Sequence, residues 1–421
     1  MRKWLGLFTT VVLLASLLAM GSAGLAKEKT VITVTSWWDA ESGGALDTFK
    51  KAFEAKNPDI QINYVRIPTQ YATKLLTMIV GGDPPDVAML AMDKVAQFAS
   101  KGALTSLDAY MKNDYPLDDL WPALKGALQY KGTYYAVPRD CTTNVLYYNK
   151  KLFREAKVPY PTSTWTWSDF LAAAKKLTKV DKSGIPIQYG FAFDTFADGW
   201  SSLAMAAGAH MVNADATRST MNTPEMVKTI QFLADLKNKY HVAPDTTAAK
   251  ALGDPSDMFM AGKLAMMIED VAASYGFKKV KDLDYDVAPI PLVTKGAKRG
   301  DRIWTNTWVL PKGAKHPEAA WRFLKFLGGP EGQKIASEQG LGIPAMRSIA
   351  HTKVFLDGVP EHKQVFLDSF AWGEPFPTFP AEQEFLAIFD RELEPVFNGQ
   401  RSAAEACAAI DKEANATIFS K

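Results

Sequence analysis

The chain alternates between short apolar runs and longer segments in which apolar residues recur at helical spacing. Residues 31–36 form a β-branched run, after which Leu46, Phe49 and Phe53 recur at a helical period until Asn57 and the proline that follows it. Runs of the first kind predict strands, and spacing of the second kind predicts amphipathic helices. The same patterns predict the following further elements: strands at residues 60–65, 86–90, 144–148, 189–193, 263–268 and 286–290, and helices around 71–78, over 169–179, after 223 and over 402–419.

The order of these elements predicts the fold class. Repeated strand–helix–strand units indicate parallel sheets covered by helices on both faces. The alternation of strands and helices is interrupted and resumes near residue 144, and the chain is mostly helical after His316. Ser168 and Thr223 are predicted N-caps, and Ser402 with Glu405 has the pattern of a capping box. The pattern therefore predicts an α/β protein with two lobes.

The first 26 residues have the order of a secretory leader. Arg2 and Lys3 precede an apolar stretch over residues 5–20, and small residues follow to Ala26. The apolar part is shorter than the ~20 residues of a membrane span. We therefore predict that residues 1–26 are a cleaved signal peptide, with a cut after Ala23 as the alternative. Because no cysteine lies near the cut, we expect a periplasmic or otherwise extracytoplasmic protein without a lipid anchor.

The charge and cysteine content of the chain restrict its possible binding partners and scaffold. The chain has 48 Lys plus Arg and 46 Asp plus Glu, and removal of the two basic residues of the leader leaves 46 of each. A neutral chain without a basic block gives no electrostatic footprint for nucleic acid. Two cysteines, Cys141 and Cys407, are too few for a disulfide-based scaffold, and the sequence leaves open whether they pair.

Aromatic residues lie where ligands bind in open α/β sheets. Trp37 and Trp38 end the first predicted strand, and the acidic residues Asp39 and Glu41 follow. Ligands of such sheets lie outside the carboxyl ends of the strands. An indole covers the apolar face of a sugar ring and a carboxylate accepts hydrogen bonds from hydroxyls, so this loop predicts a sugar site. The opposing interpretation is that one of the two tryptophans belongs to the core.

Several further segments resemble a known family. They are residues 33–38 with 53–58 (Phe-Glu-Ala-Lys-Asn-Pro), 82–87 (Gly-Asp-Pro-Pro-Asp-Val), 134–138 with 145–150, 258–266, 320–327 and 340–345 (Gly-Leu-Gly-Ile-Pro-Ala). In this order and spacing the chain resembles the family 1 extracellular solute-binding proteins, the maltose-, trehalose- and oligosaccharide-binding group of ABC importers. The resemblance covers nearly all of the chain after the leader.

This resemblance implies a two-lobed periplasmic binding protein fold of type II, with three interlobe crossings and a ligand cleft between the lobes. The crossings are expected near residues 138–144, 300–304 and 340–347. The expected N-terminal lobe comprises residues 27–139 and 302–342, and the expected C-terminal lobe comprises residues 140–301 and 343–421. A monomer that hands a sugar or polyol to the membrane subunits of an importer is the implied function.

The expected ligand-binding residues come from the strand-end loops, the crossings and the late proline-rich segment. They are Trp37, Trp38, Glu41, Asp93, Arg139, Asp140, Trp200, Asp270, Trp304, Asn306, Arg347 and Trp372. We expect no catalytic residue, no metal ligand and no cofactor. Asp270 and Ala272 stand where many relatives have Gly and Trp. Asp270 is therefore interpreted either as a ligand-binding carboxylate, with Glu269 beside it, or as the cap of the next helix.

Three alternatives remain at this stage. A secreted glycoside-acting enzyme also uses carboxylates and tryptophans, although hydrolase motifs such as Gly-x-Ser-x-Gly and His-Glu-x-x-His do not occur in the sequence. A same-fold binder of a sugar phosphate or another non-sugar solute would need a cationic pocket, for which Arg139 and Arg347 are the candidates. A ferric-ion binder would use the tyrosine pairs at 134–135 and 147–148, but neighbouring side chains of a strand face opposite sides. Monosaccharide, disaccharide, sugar phosphate and polyol all remain open as ligands.

Overall fold

The computed structural model describes residues 28–112, 114–195 and 197–420, so the predicted leader lies outside the described residues. The strands are β1 (Thr30–Ser36), β2 (Ile60–Arg66), β3 (Val87–Ala91), β4 (Gln129–Tyr130), β5 (Thr133–Tyr134), β6 (Ala136–Pro138), β7 (Thr142–Thr143), β8 (Val145–Asn149), β9 (Lys179–Val180), β10 (Pro186–Gln188), β11 (Met266–Glu269), β12 (Tyr285–Ala288), β13 (Asp301–Trp304), β14 (Asn306–Val309) and β15 (Gly373–Pro375).

Helices connect and cover these strands. They are α1 (Ala45–Lys56), α2 (Tyr71–Val80), α3 (Met92–Ser100), α4 (Asp108–Met111), α5 (Lys150–Glu155), α6 (Trp167–Leu177), α7 (Ala197–Ala206), α8 (Pro224–Asn238), α9 (Thr246–Leu252), α10 (Pro255–Met260), α11 (Ala273–Phe277), α12 (Pro317–Gly328), α13 (Pro330–Gln339), α14 (Arg347–Ala350), α15 (Lys353–Leu356), α16 (Gln364–Asp368), α17 (Glu382–Phe397) and α18 (Ala403–Thr417), with 3₁₀ helices at Leu117–Asp119, Pro122–Leu128 and Ser369–Ala371. None of the helices among the described residues has the length and apolar character needed to cross a membrane.

A five-stranded sheet organises the first lobe. Its strand order is β2-β1-β3-β14-β6. β1 pairs in parallel with β2 and β3, whereas β14 runs antiparallel to both β3 and β6. The sheet is therefore mixed, and the prediction of purely parallel sheets was wrong here. The chain enters β14 directly from the segment that returns from the second lobe. β14 therefore runs opposite to β3 and β6.

The second lobe has a smaller sheet of the order β11-β8-β12. β8 is antiparallel to both neighbours, so the prediction of a parallel sheet was wrong in this lobe as well. Residues 189–193 form no regular strand. They make single parallel bridges instead, between Tyr189 and Leu264 and between Ala192 and Met267.

The predicted helix starts are partly confirmed. The Thr223 side chain accepts the backbone N–H of Met226, and Ser402 makes a capping box with Glu405. α6 begins two residues earlier than predicted because Thr166, rather than Ser168, is its N-cap. Thr166 and Asp169 bond each other's backbone groups reciprocally, which satisfies two free N–H donors at once.

A third sheet lies between the two lobes. It has the order β15-β13-β7, and it carries the chain from β6 to β8 and from the second lobe back to β14. A further segment joins the sheet where Ile343 and Cys141 exchange backbone hydrogen bonds of 2.8 Å. Three stretches of chain thus run side by side at the junction of the lobes. Both cysteines are buried and free, so the open question of pairing is answered: they form no disulfide.

Two glycines allow the third stretch to pack closely. Gly340 has φ +77°, and a Cβ there would lie 1.2 Å from the ring of Tyr275. A Cβ on Gly342 would lie 2.9 Å from the Cβ of Asp140. Since left-handed backbone and close approach both favour glycine, the Gly-Leu-Gly sequence is what permits this segment to touch the first crossing.

Candidate functional site

The loop after β1 presents two tryptophans. Trp37 and Trp38 are both partly exposed, and their rings meet edge to face with 6.3 Å between centroids. Trp37 also meets the ring of Tyr71 edge-on at 5.2 Å. The two side chains therefore differ in their surroundings: Trp37 leans on α2, and Trp38 turns toward the first crossing.

Arg139 from the first crossing lies against Trp38. Its guanidinium is 4.1 Å from the Trp38 ring, and its Nε donates to Asp140 Oδ2 at 3.0 Å, with a second bond from Nη2 to the same oxygen. Arg139 is 3% exposed and Asp140 is 1% exposed. A cation over an indole face is attracted by the ring quadrupole, and the adjacent carboxylate compensates the buried charge. These three residues form one unit, the Trp38–Arg139–Asp140 cluster.

The second crossing fixes this cluster in place. The Thr305 hydroxyl donates to the carbonyl of Asp140 at 2.5 Å, and the backbone N–H of Asn306 faces Asp140 Oδ1 at 3.4 Å. The N–H of Arg139 donates to the carbonyl of Asn306 at 2.8 Å. Burial raises the pKa of Asp140, and the neighbouring Arg139 opposes that rise. The side chain of Asn306 is partly exposed beside them.

Carboxylates from the second lobe face the same region. β11 ends at Glu269, and Asp270 follows it. Burial, with a further contribution from the charge of Asp270, raises the pKa of Glu269 to about 8. Asp270 also contributes to the raised pKa of Asp140, which places Asp270 within electrostatic reach of both groups. The raised pKa of Glu269 therefore favours its protonated form at neutral pH.

Asp270 supports the turn before α11 and lies within electrostatic reach of the region between the lobes. Its Oδ1 accepts the backbone N–H of Ala272 at 2.8 Å, just before α11, and its carbonyl accepts the hydroxyl of Tyr147 at 2.8 Å. The side chain remains partly exposed. The N-cap of α11 is Ala272, and no side chain caps this helix. The interpretation of Asp270 as the helix cap was therefore wrong, and its role as a ligand-binding carboxylate stays a prediction.

The junction sheet contributes polar groups that the sequence did not single out. Asp301 accepts the backbone N–H of Asn144 at 3.0 Å, and its pKa is raised to about 7 by burial. The guanidinium of Arg302 lies 5.6 Å from the ring of Trp304, and its charge also acts on Glu269. The sequence could have nominated Asp301 and Arg302 only from their position inside the predicted crossing at 300–304. The residues that they contact lie far from them along the chain.

Four of the other predicted residues lie at the margins of this region. Glu41 is exposed, and Asp93 is buried in an ion pair with Lys94. Trp304 meets Phe376 edge to face at 5.8 Å, and Trp372 lies 5.6 Å from the guanidinium of Arg299. The structure thus joins Trp38, Arg139, Asp140, Asn306 and Asp270, with Trp37 adjacent and Trp304 linked through Arg302.

Two predicted residues are placed elsewhere. Trp200 is 0% exposed and stacks on Phe389 with 5.0 Å between ring centroids, so it belongs to the core of the second lobe. Arg347 is exposed, and its Nη2 donates to the carbonyl of Asp118 at 2.6 Å. The expectation that these two residues line the cleft was wrong. Trp200 lies within α7 and points inward, and the third crossing turns Arg347 toward the first lobe's surface.

A separate cavity of about 330 Å³ lies between the 3₁₀ helix Pro122–Leu128 and α7. Its lining is mainly apolar and includes Ala127, Met205 and Phe376. The cluster around Trp38 does not contribute to it. It adjoins the region described above through the contact of Phe376 with Trp304 and through β15, which pairs with β13.

Two sheet-based lobes, joined by crossing strands and lined at the junction by an aromatic–arginine–carboxylate cluster, define a binding protein with a cleft between its lobes. Residues 37–334 match the family model described as bacterial extracellular solute-binding protein. The chain belongs to this family. A match of this length also accounts for the two-lobed fold.

Solved and curated relatives agree with this assignment. An ABC substrate-binding protein from Listeria monocytogenes, solved in complex with cycloalternan, is 29% identical with a TM-score of 0.82 and covers 93% of this chain and 99% of its own. A mannitol-binding protein from Pseudomonas aeruginosa is 26% identical, over 87% of this chain and 88% of its own. The sn-glycerol-3-phosphate-binding periplasmic protein of Escherichia coli is 26% identical, over 75% of each chain.

Proposed function

We propose that this protein captures an uncharged sugar or sugar alcohol between its lobes and delivers it to the membrane subunits of an ABC importer. The observation that carries the proposal is the Trp38–Arg139–Asp140 cluster at the crossing, with Asp270 and Glu269 beyond it. An indole face suits the apolar side of a sugar ring, and the polar groups suit its hydroxyls. The relatives that bind mannitol and cycloalternan support this class of ligand.

The charges of the region favour an uncharged ligand over a sugar phosphate. Arg139 is already paired with Asp140, and Arg347 lies at another surface. Asp270 adds negative charge, which repels an anion. Since a phosphate site requires donors that remain free for the anion, the glycerol-3-phosphate relative is the less suitable guide to this chain.

We also propose the lobe boundaries that the resemblance implied, residues 27–139 with 302–342 and residues 140–301 with 343–421. Contacts to ligand from both lobes exist only when the cleft is shut, so binding shifts the population toward the closed form. The protein acts as a carrier in this proposal and catalyses no reaction. It is exported with residues 1–26 removed, and it works as a monomer without a lipid anchor.

A thermal-shift panel tests the proposal directly, because a ligand that binds the folded state alone raises the melting temperature. The panel comprises mannitol, glucose, maltose, trehalose and sn-glycerol-3-phosphate. At least one uncharged compound should raise the Tm, and glycerol-3-phosphate should not. A response to glycerol-3-phosphate alone would overturn the proposed class of ligand. Release of nitrophenol from nitrophenyl glycosides would overturn the assignment as a carrier.

A further inference from the structure

A buried aspartate and an exposed histidine meet on the second lobe, outside the cleft. Asp286 lies on β12, and His362 lies in the segment between α15 and α16. Asp286 Oδ1 accepts the backbone N–H groups of Val287 and His362 at 2.9 and 3.1 Å. Its Oδ2 lies 2.6 Å from His362 Nδ1. Backbone amides therefore fix the carboxylate so that its second oxygen faces the imidazole.

Glu361 brings a second carboxylate to the same point. One ligand atom from each of Asp286, Glu361 and His362 lies within 4.8 Å of the others. Among the described residues, Glu361 makes no ion pair, and Asp286 makes one only with His362. Lys150 and Arg154, which lie near the same sheet, are both paired with Asp284. Two carboxylates thus converge on one imidazole without a lysine or arginine to neutralise them.

A similar contact in the first lobe lacks this excess of negative charge. The buried Asp86 accepts the backbone N–H of His316 at 2.8 Å, and its carboxylate faces His316 Nδ1 at 3.3 Å. Here Lys315 precedes the histidine; it forms an ion pair with Asp83 at 2.9 Å and also acts electrostatically on Asp86. In the second lobe a glutamate occupies the corresponding place before the histidine. The Asp86–His316 pair therefore provides a natural control.

We propose that Asp286, Glu361 and His362 bind a divalent transition-metal ion, with Zn²⁺ as the best fit. An imidazole nitrogen with two carboxylate oxygens is a zinc ligand set that leaves a position for water, whereas Mg²⁺ and Ca²⁺ prefer oxygen ligands alone. The two backbone amides on Asp286 Oδ1 provide the outer hydrogen bonds that orient a ligating carboxylate.

Binding requires a small movement at the histidine. Ligand atoms at about 2.0–2.2 Å from a tetrahedral ion lie farther apart than the 2.6 Å that separates Asp286 Oδ2 from His362 Nδ1. The side chain of His362 is 62% exposed, so it has room to rotate, while the 2% exposed Asp286 stays fixed. The ion would then join β12 to the segment before α16 and stabilise the second lobe.

Calorimetry on untagged, EDTA-treated protein at pH 7 tests this site. Titration with ZnCl₂ should show one ion per chain, and titration with MgCl₂ should show no binding. His362→Ala and Glu361→Gln should each weaken zinc binding by at least about tenfold. His316→Ala, which removes the first-lobe histidine, should bind zinc like the parent.

Two results would overturn the site: no zinc binding by the parent, or zinc binding by both His362→Ala and Glu361→Gln at the parent's affinity. His362→Ala removes the partner of a buried carboxylate, so its folding is checked by circular dichroism. Glu361 is exposed, so its glutamine variant should keep the fold, and the same circular dichroism measurement checks this. Loss of zinc binding in His316→Ala alone would place the ion in the first lobe and would also overturn the proposal.

Discussion

The two sides of the cleft differ in how they handle charge. On the side of the first crossing, Arg139 is buried with its charge compensated by Asp140, and the ring of Trp38 covers it. On the side of β11, Glu269 avoids charge by holding a proton, because burial and the neighbouring Asp270 raise its pKa to about 8. One side is therefore a neutral ion pair beneath an aromatic ring. The other is a carboxylic acid beside a carboxylate.

This difference has a consequence for the ligand. Buried polar groups favour a ligand that completes their hydrogen bonds and disfavour one that leaves them unpaired. The crossing side presents an aromatic face over a compensated ion pair, and the β11 side presents a carboxylic acid that can donate and a carboxylate that accepts. A polyhydroxylated, uncharged molecule satisfies both, whereas an anion would face Asp270. Each of the following substitutions removes one of the groups that make the two sides of the cleft different.

Arg139→Ala should have the largest effect. It leaves Asp140, which is 1% exposed, as an uncompensated buried carboxylate. Breaking a buried ion pair in this way lowers the free energy of unfolding by about 3–5 kcal/mol. Urea unfolding followed by circular dichroism measures the change. Arg347→Ala is the matched control, because that exposed arginine contacts only a carbonyl, and its unfolding free energy should equal the parent's within about 0.5 kcal/mol.

Trp38→Ala should weaken binding of the tightest panel sugar by about 2–4 kcal/mol, because it removes the ring that covers Arg139. Trp37→Ala should cost less, because that ring rests on Tyr71 at the side of α2. Isothermal titration calorimetry of both variants compares them directly. Equal affinities of the parent and Trp38→Ala would show that the sugar lies elsewhere.

The crossing residues and Asp270 could be nominated from sequence, whereas the raised pKa of Glu269 could not. Arg139 and Asp140 follow a strand in a segment that resembles a family crossing, so local sequence was sufficient to nominate them. Glu269 is different. Burial is the main cause of its raised pKa; the charges of Asp270 and the distant Asp194 raise it further, and that of the distant Arg302 lowers it. These groups come together only when the junction between the lobes folds, and no sequence spacing predicts that they are close in space.

The wrong site predictions have the same origin. Trp200 was nominated from its place near a predicted element end, but the face that it occupies on α7 is set by stacking on Phe389. Arg347 follows the third crossing, and its direction is set by the carbonyl of Asp118. In both cases the position along the chain was correct and the direction of the side chain was not. Direction depends on packing partners that the pattern of apolar residues does not identify.

Glu269→Gln should stabilise the protein at high pH. The folded pKa is raised, so the folded state binds the proton more tightly than the unfolded state, and stability is lost as the pH rises toward about 8. Glutamine removes that loss. Thermal unfolding should show equal Tm values at pH 4 and a variant that is more stable than the parent, by about 2 kcal/mol, at pH 9. A constant difference across this range would mean that Glu269 does not hold its proton.

Asp270→Asn should have the smallest effect, and it separates the support of the turn before α11 from ligand binding. Asparagine retains the oxygen that accepts the N–H of Ala272, so the free energy of unfolding should change by less than about 0.5 kcal/mol. It removes the negative charge that faces the cleft, so binding of the tightest panel sugar should weaken by about 1 kcal/mol. Asp270→Ala should lose both stability and affinity, because it also removes the oxygen that accepts the N–H of Ala272. Calorimetry gives the sugar affinity of each variant, and urea unfolding gives the free energy of unfolding of each. If Asp270→Asn binds the sugar like the parent, Asp270 supports the turn before α11 and its charge plays no part in ligand binding.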